Sequence, residues 1–226
     1  MADTAIAEVQ RRATEKLPHF VYPPAKPKLT SGTQTLLLVS DNLEKHELLI
    51  KATLATTTVV AVKYDTWSLA NLSDAINKRA PAGTKFDAVG ILDHGAPGRF
   101  CLLKSVGGGD IDLADLASSD IAAFLKELGG LVKPGGRIDL SVAAGPAGRA
   151  LLAQVEALTG VTVTASTNNT GGAEGADWVM ETANLQVIPS YFHADKLGEW
   201  KEAAFILTSI VVGSIAAATA VAANDS

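Results

Sequence analysis

A single cysteine in 226 residues excludes a disulfide framework and any thiolate-held metal cluster. Charge is also scarce, at 19% of residues, and aromatics are scarcer still, at 5%. Nineteen basic against 24 acidic side chains give a net charge of −5, which argues against a broad nucleic-acid footprint. His19, His46, His94 and His193 are scattered with no i, i+4 pair, so no metal site is expected. No phosphate-loop pattern and no dinucleotide fingerprint occur, and no cofactor is expected. Apolar residues, by contrast, make up 47% of the chain, and the mean hydropathy is +0.21. That balance excludes a disordered chain. The length suits one sizeable α/β domain with appendages. A soluble domain this poor in charge either hides extra surface in an assembly or carries a membrane segment.

Residues 1–34 read as a helix followed by a proline-rich arm. Ile6, Val9, Ala13 and Leu17 form a narrow helical stripe, Asp3 or Thr4 can cap it, and Pro18 stops it. Pro23, Pro24 and Pro27 keep the following stretch extended. Five bases against three acids make this arm positive, opposite in sign to the rest of the chain. It therefore suits docking on a neighbouring subunit. Residues 1–17 lack the apolar core of a secretory signal, so the expected location is the cytoplasm, a signal-less export route or a membrane surface.

From Thr35 to residue 192 short apolar runs alternate with helical stretches. TLLLVS (35–40), TTVVAV (57–62), FDAVGILDHG (86–95), GRIDLSV (136–142) and VTVTAS (161–166) are the expected strands. Helices are expected over 43–54, capped by Asp41 or Asn42, and over 68–79, 118–131 and 146–158. Gly129-Gly130 suits a C-cap, Gly160 closes the last helix, and 99–104 reads as a hairpin arm. This alternation predicts a doubly wound, mostly parallel sheet with sites at the carboxyl ends of its strands.

Asp93-His94-Gly95 lies at such an end, and an imidazole there is a candidate general base. A nucleophile is expected from the next strand end, Ser141 to Gly145, which holds no cysteine. Ser141 can substitute only if it turns toward His94. Cys101, flanked by Phe100, Leu102 and Leu103, reads as a small buried hydrophobe. Gly107–Gly109 precedes no strand-to-helix turn and reads as a loop; Gly145–Gly148 opens a helix and leaves free amides, a weak anion site at most.

ILDHGAPG (91–98), AAGPAGRALLAQVEALTGVTVTASTNNTGG (143–172) and ADWVMET (176–182) together resemble a bacterial caspase-like domain of unknown function. That domain is often found near the N-terminus of very large surface and adhesin proteins. The resemblance covers roughly Thr35 to Thr182 and implies a caspase-like three-layer α/β sandwich. The family's histidine falls on His94, with Asp93 where the family has serine. Its tyrosine falls near Ser141 and its cysteine at or near Ala143, and no register brings a cysteine there. The resemblance thus implies a pseudoenzyme in which His94 is a remnant, and Trp178 matches the family's tryptophan as a core residue.

Residues 193–226 form an apolar C-terminal segment, uncharged over 203–223. Twenty-one residues are enough to span a bilayer. Only eight are strongly apolar (Phe205, Ile206, Leu207, Ile210, Val211, Val212, Ile215 and Val221), supplying about −2 to −5 kcal/mol, so insertion is marginal. Ser209, Gly213 and Ala217 are spaced by four, which lets helix backbones approach closely. An assembly helix, a membrane anchor and an intradomain element remain alternatives, with Phe205, Ile206, Ile210, Val211, Gly213, Ile215 and Ala217 as the contact residues. The functional expectation is a non-catalytic structural protein that self-assembles through its two ends. The alternatives are a tail-anchored membrane pseudoenzyme or binding module, and a residual cysteine- or serine-type peptidase.

Overall fold

The structure, a computed structural model, describes residues 33–204 apart from Pro81 and residues 142–145. Five parallel strands form the central sheet: β1 (Thr35–Ser40), β2 (Thr57–Val62), β3 (Phe86–Leu92), β7 (Val132–Leu140) and β8 (Thr162–Ala165). Their order is β2-β1-β3-β7-β8. Between β3 and β7, β4 (Gly95–Ala96), β5 (Arg99–Cys101) and β6 (Asp110–Asp112) make a small antiparallel sheet.

Helices cover both faces. One face carries α2 (Leu69–Arg79), α3 (Ser119–Gly130) and α4 (Pro146–Thr159). The other carries α1 (His46–Ala52) together with the chain's C-terminal portion. That portion comprises the short pairs β9 (Thr170–Gly171) with β12 (Ala203–Ala204) and β10 (Val179–Met180) with β11 (Leu185–Gln186), plus α5 (Ile188–Tyr191) and α6 (Ala194–Leu197). The result is a three-layer α/β sandwich.

β1 shows why the apolar runs become central strands. All six of its residues are buried, and successive side chains enter opposite layers. Leu36 and Leu38 join Val60, Ile76, Phe124 and Val155 on one face, whereas Leu37 and Val39 join Leu49, Trp178, Phe192 and Trp200 on the other. Trp178 is buried, as the sequence suggests, with its ring 5.2 Å from Phe192 and 5.7 Å from Trp200 at tilted angles. Such pairs add about 0.5–1.5 kcal/mol beyond their area.

Several local details differ from the sequence reading. Helix α1 starts at His46, and its N-cap is Lys45 in the left-handed region at φ 54°. Asp41 and Asn42 are not caps, because their side chains serve the sheet edge instead: Asp41 Oδ1 accepts from the Tyr64 amide and Asn42 Nδ2 donates to Asp93. Gly129 and Gly130 lie inside α3 and do not cap it. A Cβ on Gly129 would come within 2.1 Å of the Thr159 carbonyl oxygen, so close helix contact is what requires glycine there. Strand β7 begins at Val132, four residues before the expected start. Its register on β3 jumps from Phe86↔Val132 to Ala88↔Arg137, so the Lys133–Gly136 stretch bulges, and Pro134-Gly135-Gly136 disguises the strand in the sequence. The hairpin arm ends at Cys101.

Gly160 closes α4 at φ 71°, as expected. Helix α2 starts one residue after the expected position, because Ser68 serves as its N-cap in a reciprocal capping box with Asn71. Residues 193–204 pack with the sandwich: Leu197, Trp200, Ala203 and Ala204 are buried, and the Trp200 Nε1 donates to the Glu44 carbonyl at 2.9 Å. The expected uncharged segment thus begins inside the domain with β12. Its assembly or membrane residues, Phe205, Ile206, Ile210, Val211, Gly213, Ile215 and Ala217, lie outside the described residues, as does the arm over 1–32. Among the described residues no helix is long and apolar enough to cross a membrane.

Candidate functional site

The strand order reverses between β1 and β3, which stay paired up to Val39 and Leu92, and the connections that follow them lead to helices on opposite faces of the sheet, α1 on one and α3 on the other. In open α/β sheets ligands bind at this point. Ser40 ends β1 and Asp93 follows β3. Asp93 is 3% exposed; its Oδ1 accepts the His94 amide at 2.7 Å and Asn42 Nδ2 at 3.3 Å. Its Oδ2 finds no hydrogen-bond partner among the described residues. Burial is the largest influence on this carboxyl and pushes its pKa up, opposed by the Ser40 hydroxyl and the His94 and Asn42 amides.

The neighbouring carboxylates on this edge each have a cation. Asp41 faces Lys63 at 3.3 Å, Asp65 faces Lys104 at 2.9 Å, and Asp110 faces Arg99 at 3.3 Å. Tyr64 packs among them, its hydroxyl donating to the Gly109 carbonyl at 3.2 Å. Burial, the largest influence, followed by the electrostatic influence of Cys101 and of the carboxylates Asp93, Asp110 and Asp65, pushes the Tyr64 phenol up to about 12, so it stays protonated and remains a donor.

His94 is half-buried between β3 and β4, and its carbonyl accepts the Cys101 amide at 3.0 Å. Cys101 is 2% exposed and fits the expectation of a small buried residue. Its thiol donates to Asp110 Oδ1 at 3.1 Å, and burial followed by that bond pushes its pKa far up. Such a thiol is a poor nucleophile, since the thiolate is the reactive form. The Ser141 hydroxyl donates to the Ile91 carbonyl at 2.9 Å. Ala143, where the resemblance expects the cysteine, lies outside the described residues. Gly145 of the helix-opening glycine pair is outside them too. Among the described residues no group of three or more His, Cys, Asp or Glu side chains could hold a metal ion.

Sequence reasoning missed a buried polar cluster on the α5 side of the sheet. Asp139 is 4% exposed and lies 2.7 Å from Arg137 Nε, 2.5 Å from Thr164 Oγ1 and 2.7 Å from the Tyr191 hydroxyl. Arg137 also donates to Ser190 Oγ at 3.0 Å. Thr35 and Thr57, their hydroxyls 2.9 Å apart, lie against the Ser190 and Tyr191 carbonyls. Burial, with the Asp139 charge next, holds the Tyr191 phenol protonated. A signal for this cluster is present in the sequence: Arg137 and Asp139 are opposite charges two apart within an apolar strand, which strand alternation places on one face.

A sandwich built on an all-parallel five-stranded sheet, with His94 and a buried aspartate at its switch point, defines the class. The chain belongs to the family described as Domain of unknown function (DUF4347), which matches residues 36–203. No curated protein and no solved structure matches the chain.

Proposed function

We propose that this chain is a non-catalytic, caspase-like member of its family that self-assembles through its positive N-terminal arm and the uncharged segment over 203–223. The observation that carries the non-catalytic part is the commitment of both possible replacement nucleophiles. The Cys101 thiol is spent on Asp110 and the Ser141 hydroxyl on the Ile91 carbonyl. A dyad that lacks an activated nucleophile lacks covalent catalysis. The parallel sheet with His94 following its third strand supports the caspase-like reading. Assembly is supported by composition: a run of 21 uncharged residues needs cover, and small residues spaced by four suit close helix contact. A surface location, as for the adhesin-associated domains that the sequence resembles, is part of the same proposal.

Light scattering on the full chain and on a Val211→Asp, Ile215→Asp double variant tests the assembly. Large particles that fall to monomers in the variant support it; a monomer in both cases overturns it. Retention of the protein in carbonate-washed membranes would also overturn it, in favour of an anchor. Cleavage of a fluorogenic peptide mixture that disappears in His94→Ala would overturn the non-catalytic reading.

A further inference from the structure

The central sheet has two edge strands, β2 and β8, and their outward backbone groups are treated differently. On β8 the Val163 amide donates to Glu156 Oε1 at 2.8 Å and the Ala165 amide to Thr182 Oγ1 at 2.7 Å, and the Thr182 hydroxyl lies 3.1 Å from the Ala165 carbonyl. Side chains thus close that edge to another strand. On β2 the Thr56 and Val62 carbonyls accept the Thr35 and Asp41 amides. Backbone groups alternate sides along a strand, so Thr58, Val60 and Val62 serve the ladder with β1, while Val59 and Ala61 turn amide and carbonyl outward. None of these four groups has a partner among the described residues. The strand also lacks the usual guards: TTVVAV holds no charge and no proline, and its register on β1 is unbroken. Beside it, a groove between β2 and α2 is lined by Val60, Ala61, Trp67, Asp74, Lys78 and Arg79. Its three charged residues are exposed and make no ion pair among the described residues.

We propose that β2 is a contact between copies of this chain, paired antiparallel with β2 of a second copy about a two-fold axis opposite Val60. In that register Val59 faces Ala61 of the second copy, and the outward groups of both strands close into four hydrogen bonds. A two-fold at Val59 uses the edge less fully, because the Thr57 amide is already bound to the Leu54 carbonyl. Charge selects a second copy as the occupant. The edge itself is uncharged, whereas the groove beside it carries both signs. The axis that reverses the strand also reverses α2, and so turns Asp74 of one copy toward Lys78 and Arg79 of the other. The inference rests on the self-assembly reading: one short edge pair binds weakly alone, and neighbours gathered by the uncharged segment supply the effective concentration.

Disulfide trapping in the full chain tests it. On a Cys101→Ser background each variant carries one cysteine, so every disulfide joins two chains. Val60→Cys sets two sulfurs opposite each other at a non-hydrogen-bonded position, where Cα atoms lie about 4.5 Å apart, within disulfide reach. Thr58→Cys is the control, with its two copies roughly 13 Å apart in this register. Under mild oxidation Val60→Cys is expected to link about tenfold or more faster than Thr58→Cys. A mixture of Thr58→Cys and Val62→Cys proteins gives the same reading if Val60→Cys impairs folding, because those positions face each other across the axis. Asp74→Lys is expected to slow the link about threefold or more, and Lys78→Asp added to it to restore the rate. Rates equal to the Thr58→Cys control overturn the inference, as does a link that Asp74→Lys leaves unchanged. Light scattering of the reduced protein reads assembly separately: particles without the link overturn this inference alone, and a monomer overturns the assembly reading.

Discussion

The Tyr191 hydroxyl donates to Asp139 Oδ2 at 2.7 Å inside the core, across 52 positions of sequence. This one bond ties the short helix α5 to the middle of the sheet, because Arg137 and Thr164 hold the other carboxylate oxygen. The cluster is self-satisfied, and its members depend on one another. Tyr191→Phe removes one hydrogen bond to a charged group and is expected to cost about 1.5–3 kcal/mol in urea denaturation. Asp139→Ala strands a buried guanidinium and is expected to cost about 3–5 kcal/mol. Similar stabilities for Asp139→Ala and wild type would show that the pair is not buried as described.

Adjacent glycines in α3 are expected to respond in opposite directions. Gly129→Ala drives a Cβ into the Thr159 carbonyl at 2.1 Å, so α3 and α4 must separate, at a cost of about 1–3 kcal/mol. A Cβ on Gly130 meets nothing within 4 Å. Gly130→Ala should be neutral or stabilising by up to about 1 kcal/mol, through reduced freedom of the unfolded chain. Thermal unfolding of the two variants side by side is the check.

Asp93 has a pKa raised by burial, from an ordinary value of 3.8. The folded state therefore holds this proton more tightly than the unfolded state, and stability falls as pH rises from the unfolded value through the folded one. Asp93→Asn, which keeps an acceptor for the His94 amide, should be more stable than wild type at pH 7. The advantage should shrink below about pH 4, where both states carry the proton. Urea midpoints measured from pH 3 to pH 7 would show this convergence; a difference constant with pH would contradict it.

Cys101 should resist modification while the protein is folded. Its thiol is buried, hydrogen-bonded to Asp110 and kept protonated. Iodoacetamide at pH 8 is expected to label it at least about a hundredfold more slowly than it labels the unfolded chain. Rapid labelling of the native protein would revive the thiol as a nucleophile.

Ser68→Ala removes the hydroxyl that accepts the Asn71 amide at 3.3 Å, and half of the capping box at α2. A loss of about 1 kcal/mol is expected in urea denaturation. Ser68→Gly should lose only a few tenths, because glycine is itself an acceptable cap.

The sequence by itself determined most of the central sheet, though not the start of β7, and the helices on one face. β1 and β2 run over the residues expected of them, because an unbroken apolar or β-branched run has few alternatives to a strand buried on both sides. α2 begins at its serine cap and α4 ends at its glycine, since both boundaries are set by local backbone groups. The position of His94 at a strand end was legible for the same reason. Tertiary structure alone decided the rest. Only contact with Thr159 makes Gly129 a packing residue instead of a cap. Only the sheet edge turns Asp41 and Asn42 away from α1 toward Tyr64 and Asp93. The covering layer from Trp178 to Ala204 is assembled from elements of two to four residues, too short to carry a periodicity. It is held by partners far away in sequence, such as Asp139 for Tyr191 and the Glu44 carbonyl for Trp200. A local pattern specifies a hydrogen bond or a buried face only where the partner is local too, and in this layer the partners lie across the sheet.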